Sequence, residues 1–146
     1  MAEGDATVYN NFKERLLHGE IDLVGDNLKM ILLGSGYTPV YTGNPAYADT
    51  AITTNEISTT NYTAGGESLG TKSISQDDTA NRGVFDAADV VWTSLGTTTI
   101  AHAILYDDTI TTPTAKPLLI RWEIGTNSNG NNYTLSFHTD GVLLLS

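Results

Sequence analysis

The chain has 146 residues, of which 7 are basic and 17 acidic, for a formal net charge of -10, and it contains no cysteine. That length suits one domain, residues 1–146, with a real core and is too short to argue for two. The negative field repels a phosphate backbone and an anionic bilayer surface, so neither nucleic acid nor a membrane is an expected partner, and the missing thiols exclude disulfides, thiolate metal sites and cysteine nucleophiles.

Only 16% of the residues are charged. Thr, Asn, Gly and Ser fill the difference, a mix that favours strands and turns. Met1 to Asp5 is acidic and lacks an apolar stretch, so no signal peptide is expected. The longest apolar runs, such as Val142-Leu143-Leu144-Leu145, have only three or four residues. That is far short of the roughly 20 that span a bilayer. Synthesis in the cytoplasm is the default expectation.

Tyr9, Phe12, Leu16 and Leu17 fall at helical spacing, with Asn10, Asn11, Lys13, Glu14 and Arg15 mostly opposite. This predicts a helix over about residues 7–18, capped by Asp5 or Thr7 and ended by Gly19. At about three turns it must dock on something to be stable. Glu20-Ile21-Asp22-Leu23 and a turn at Gly25-Asp26-Asn27 lead into Leu28 to Leu33, a nearly continuous apolar strand.

From 34 to 66 the composition shifts to Tyr, Thr, Asn and Gly, with Tyr37, Tyr41, Tyr47 and Tyr62 spread along it. Only Ala51 to Ile57 has a strand or short-helix pattern. So long a loop inside a compact domain is functional or disordered, and tyrosines, with large contact area and few rotatable bonds, argue against disorder. Leu69 to Ser75 reads as a weak strand and Gln76 to Arg82 as an exposed loop. Val84 to Ala87 and Val90 to Trp92 read as strand material broken near Ala88-Asp89, as by a bulge.

The stretch Thr98 to Thr109 organises the rest. Ile100, Ala101, Ala103, Ile104, Leu105 and Tyr106 are apolar on both alternating faces, interrupted by His102. Such a strand is expected to be covered on both sides. After a loop holding Pro113 and Pro117, Leu118, Ile120, Trp122 and Ile124 alternate with Arg121 and Glu123. The Asn- and Gly-rich stretch 127–132 is a turn. Tyr133, Leu135 and Phe137 alternate with polar residues, and Val142 to Leu145 ends the chain as a strand. The last three strands read as a meander.

No constellation carries chemistry. Asp77-Asp78 and Asp107-Asp108 lack the spacing of a calcium loop and read as turns. His18, His102 and His138 are scattered, with no metal-ligand spacing, and His102 reads as a buried histidine bonded to a neighbour. Gly34-Ser35-Gly36 is not a nucleophile elbow, and no glycine loop has the phosphate-binding form. No catalytic residue, cofactor or metal is therefore expected. A paired-carboxylate hydrolase stays open only because its acids can be distant in sequence.

Several phrases in order carry a resemblance. They are Tyr9-Asn10-Asn11-Phe12-Lys13, Leu16 to Leu23, Leu28 to Leu33 with Tyr37-Thr38-Pro39, Asn55-Glu56-Ile57 and Tyr62 to Gly66. They continue with Val84 to Trp92, Ala103 to Thr109, Pro117-Leu118-Leu119 and Asp140 to Leu143. Together these resemble small virion structural or head-decoration proteins of tailed bacteriophages. The resemblance covers nearly the whole chain, apart from its N-terminus and Gln76 to Gly83. It implies a non-enzymatic cement protein on the capsid exterior, made in the host cytoplasm and bound to the major capsid protein. A tail or fibre component, or a carbohydrate-binding module at the virion surface, is the alternative.

The expected fold is all-β, an antiparallel sandwich or barrel of about eight short strands with one N-terminal helix. Closed symmetry multiplies weak lattice contacts, so a homotrimer is expected, with a dimer second. The expected interface residues are Tyr37, Tyr41, Tyr47, Tyr62, Ile100, His102, Ile104, Leu143 and Leu145. Exposed aromatics along a groove would favour sugar binding, two carboxylates in a cleft hydrolysis, and exposed apolar patches a lattice.

Overall fold

The computed structural model describes residues 6–111 and 115–146. In chain order these form β1 (Ala6–Val8), α1 (Asn10–Leu17), β2 (Leu28–Leu33), α2 (Thr50–Thr53), β3 (Glu67–Ser68) and β4 (Ser73–Asp77). They continue as β5 (Arg82–Asp86), β6 (Val90–Trp92), β7 (Thr99–Asp107), β8 (Leu118–Asn127), β9 (Tyr133–Leu135) and β10 (Leu143–Leu145). The protein is an all-β sandwich with a short N-terminal helix, as the residue pattern predicts.

A five-stranded sheet in the order β1-β8-β7-β2-β3 forms one layer, and a three-stranded sheet, β10-β5-β4, and a two-stranded one, β6-β9, complete the fold. Every pairing is antiparallel. The register places Ile31, Ile104 and Arg121 side by side on one face of the large sheet and Met30, Leu105 and Ile120 on the other. All six are buried, so the central strands are covered on both faces, as their continuous apolar runs require. Burial of each such aliphatic side chain stabilises the fold by about 1.5–3 kcal/mol. The tyrosine-bearing segment lies over the Ile104 face, where Tyr47 stacks on Tyr106 with centroids 4.7 Å apart. On the other face Trp122 meets Phe137 at 5.7 Å.

Several expectations are corrected. The helix begins at Asn10 rather than near residue 7, because Ala6–Val8 pairs with Ile120–Trp122 as a strand. Thr7 is therefore no cap, and Asp5 lies outside the described residues. Among the described residues no side chain caps the N-terminus. Gly19 ends the helix as expected, in the left-handed region at φ +70, its N–H on the Leu16 carbonyl at 3.1 Å. Leu17 does not join the apolar stripe and is 87% exposed, while Asn11 and Arg15, one turn apart, are buried instead. There Arg15 Nε donates to Asn11 Oδ1 at 3.0 Å.

The 34–66 segment contains a short helix, α2, which overlaps the start of its one patterned stretch. Residues expected in an exposed loop, Gln76, Asp77 and Arg82, belong to the β4–β5 hairpin, whose turn places Asn81 at φ 54. The break at Ala88-Asp89 is a change of sheet rather than a bulge, since β5 pairs with β4 and β10 while β6 pairs with β9. The last three strands are not a meander, for β8, β9 and β10 lie in three different sheets. The loop expected at Pro113 lies in part outside the described residues.

Candidate functional site

The four loop tyrosines hold their own segment to the sheet. Glu56 is the hub of one cluster. Its Oε2 accepts from the Tyr47 hydroxyl at 2.8 Å, and its Oε1 accepts from the Tyr62 hydroxyl and the Gly65 N–H, each at 2.7 Å. The Tyr62 oxygen in turn accepts the Leu32 N–H at 3.2 Å, which ties the segment to β2. Tyr106 donates to the Gly65 carbonyl at 2.9 Å. Burial, then the Glu56 carboxylate, pushes the Tyr47 phenol up to about 12. Burial likewise raises Tyr62 and Tyr106 above the ordinary tyrosine range. These phenols are neutral donors at physiological pH.

A second cluster joins Tyr9, Tyr37, Tyr41, His102 and Arg121. The Tyr9 and Tyr37 hydroxyls share a hydrogen bond at 2.9 Å, and the Tyr9 and Tyr41 rings lie 5.1 Å apart. Arg121 donates to the Tyr41 hydroxyl at 2.5 Å, to His102 Nδ1 at 3.2 Å and to Glu123 at 3.3 Å. Tyr37 meets the His102 ring edge-on at 5.6 Å. Burial, then the Arg121 guanidinium, lowers His102 below its usual value. His102 is thus bonded to a neighbour, as its place in the sequence predicts, but it is half-buried rather than buried.

The expected interface residues therefore separate into two groups. Ile100 and Ile104 are both 0% exposed, so their side chains pack within this chain and present nothing to a partner. The apolar run that pointed to a subunit contact is accounted for by cover on both faces of β7. Tyr37 is buried, and Tyr41, Tyr47, Tyr62 and His102 are half-buried with their polar atoms engaged inside the chain. Leu143 is half-buried and Leu145 exposed.

These last two belong to a groove between α1 and the C-terminal strand. Val8, Phe12, Leu16, Leu17, Leu143 and Leu145 line it, around a volume of about 500 Å³. Leu16, Leu143 and Leu145 also line a smaller hollow of about 130 Å³ with Ile74 and Phe85. Leu17, Ile74, Leu144 and Leu145 are exposed at or beside it, and Lys13 is the charged side chain on its lining. Leu17 and Ile74 were missed from sequence. Leu17 reads as part of the buried stripe, and Ile74 is the one apolar residue of β4, whose other members are Ser73, Ser75, Gln76 and Asp77.

Comparison with protein-family models, with curated proteins and with solved structures returned no match. The groove and the tyrosine clusters therefore rest on their own geometry. Among the described residues the large exposed apolar side chains are aliphatic, namely Leu17, Val24, Val40, Ile74, Val91, Leu144 and Leu145, whereas sugar platforms are built from exposed aromatic rings. Among the described residues no group of three or more His, Asp or Glu is placed to hold a metal ion. No described helix is long and apolar enough to cross a membrane.

Proposed function

We propose that this chain is a non-enzymatic virion protein of a tailed bacteriophage, a decoration protein that docks on the capsid exterior through the α1–β10 groove. The occupant of the groove is an apolar segment of the major capsid protein. The resemblance of the ordered sequence phrases supplies the partner, and the open aliphatic groove is the structural observation that carries the reading. Contiguous exposed apolar surface on a small β domain marks an interaction site. The -10 charge keeps copies soluble and apart, so the contact forms through apolar and hydrogen-bonding groups with acids at its rim.

On a lattice with local threefold sites the chain acts as a homotrimer, so that three weak grooves engage together and the later contacts are effectively intramolecular. The deciding experiment is electron microscopy of purified virions carrying this protein. Density for the sandwich on the outer capsid surface, with α1 and β10 toward the lattice, is the expected result. Density confined to the tail, or none, overturns the reading.

A further inference from the structure

Asp107 ends β7 and is 0% exposed. Its Oδ1 accepts the Thr109 N–H at 2.8 Å. Its Oδ2 is buried and meets no hydrogen-bond donor among the described residues. A buried carboxylate oxygen without a donor is costly, and such atoms call for a reason. The Asn27 N–H on Thr109 Oγ1 and the Asp108 N–H on the Asn27 carbonyl hold the 22–27 turn against the end of β7, which brings a second carboxyl, that of Asp26, to Asp107.

Asp26 is fixed there by its own turn. Its Oδ2 accepts the Asp22 N–H at 2.7 Å, and its N–H donates to the Asp22 carbonyl at 2.8 Å. Lys72 Nζ donates to its backbone carbonyl. Two carboxyls in contact cannot both be ionised without strong repulsion, whereas one proton between them makes a hydrogen bond. We propose that Asp26 and Asp107 share a single proton, and that this proton is a pH-sensitive latch closing the 22–27 turn onto the end of β7.

The charged neighbours leave the pair without a counter-ion. Lys29 of β2 and Lys116 both bind Asp108, at 3.4 and 2.7 Å. Lys72 is spent on a carbonyl, and the Asp22 carboxylate accepts the Val24 and Gly25 N–H groups. The latch sits among neutral ties between the same two turns, with the Asn27 N–H on Thr109 Oγ1 at 2.7 Å and the Asp108 N–H on the Asn27 carbonyl at 2.9 Å. Burial first, then the Asp26 carboxyl, pushes Asp107 up to about 6 from 3.8. The pair is closed in mild acid and loses its proton as the pH rises through that value, leaving two carboxylates in contact. The proposal is independent of the virion reading.

Carboxyl carbon shifts followed by NMR on the full chain, from about pH 3 to 8, test it directly. The expected result is an Asp107 carboxyl that titrates near pH 6, and that returns toward the ordinary aspartate range in Asp26→Asn. Asp107 ionising below about pH 4.5 would overturn it. Melting temperature gives a second readout. The unsubstituted chain should lose a few degrees between about pH 4 and 7, and Asp26→Asn, whose amide can donate to Asp107 at any pH, should lose that dependence. Asp107→Asn should flatten it likewise. Matching profiles for all three chains, or a calcium-induced rise in melting temperature that chelator reverses, would overturn the latch, the latter because a cation then bridges the pair.

Discussion

Arg121 donates through Nε to Nδ1 of His102, 3.2 Å away on the neighbouring strand. The acceptor role of Nδ1 fixes the neutral ring as the Nε2–H tautomer, since an imidazolium has no lone pair to offer. Burial and then the adjacent guanidinium oppose protonation and lower the value from 6.5. The unfolded chain therefore takes up a proton at this ring more readily than the folded one. The stability this ring contributes is full above about pH 6.5 and is lost as the pH falls through the lower folded value. NMR titration of the His102 ring should give a midpoint below 6.5, and Arg121→Gln should move it upward. An unmoved midpoint would show that the guanidinium does not act on the ring.

Glu56 joins two tyrosines and a backbone amide of the 34–66 segment. Glu56→Ala leaves the Tyr47 hydroxyl and the Gly65 N–H without this acceptor. Hydrogen bonds to a charged group are worth about 1.5–3 kcal/mol each and do not add fully, so a loss of about 2–4 kcal/mol is expected. Tyr62→Phe removes one member of the cluster and should cost about 1–2 kcal/mol, by the same reasoning. Denaturant midpoints at constant m-value measure both. Tyr47→Ala tests capsid binding poorly for this reason, because the stacked ring on Tyr106 goes with it.

Gly66 and Gly65 are adjacent, and both have positive φ, +72 and +94. A Cβ at Gly66 would stand 1.9 Å from the Met30 carbonyl oxygen, whereas one at Gly65 meets nothing nearer than 3.6 Å. Gly65→Ala should therefore cost the conformational strain of about 1–3 kcal/mol. Gly66→Ala should cost more, because β3 must move off β2, and thermal melts should rank the two variants in that order.

The sequence made the large sheet legible because Met30 to Leu33 and Ala103 to Tyr106 are apolar at every position, a pattern that fits a strand covered on both faces. It could not assign the outer strands. Alternation in Tyr133 to Phe137 tells which side chains turn inward but not which strand is the neighbour, and β9 pairs with β6 across more than forty residues. On α1, Leu16 and Leu17 differ by about 100° around the helix axis. Composition alone does not say which of the two points outward. The tyrosines announced contact area, yet the acceptor that decides their role, Glu56, looks like any acid in a polar stretch. Nothing local marks Asp26 and Asp107 as a pair, since they meet only when the 22–27 turn folds against the end of β7.

The groove gives the last prediction, and Phe12, Leu16 and Leu17 separate its two roles. Phe12 is buried, and Phe12→Ala should cost about 3–5 kcal/mol by opening a cavity under α1. Leu16 is half-buried in the groove wall, so Leu16→Ala should lose less than that, by cavity formation in proportion to its burial. Leu17 projects from the helix at 87% exposure, so Leu17→Ser should change stability by no more than about 0.5 kcal/mol. The Leu145 side chain is 57% exposed on the facing strand, and Leu145→Ser belongs to the same class. If the groove seats an apolar segment of the capsid lattice, Leu17→Ser and Leu145→Ser together should cut capsid occupancy at least tenfold while the melting temperature stays within a few degrees. Co-sedimentation of the purified variant with undecorated capsids, across a concentration series, measures the occupancy. Light scattering on the free protein separates lattice docking from self-association. A variant that binds capsids weakly but keeps its native mass places the groove on the lattice side. A variant that falls from trimer to monomer places it between copies. Unchanged occupancy and unchanged mass would remove the groove from both.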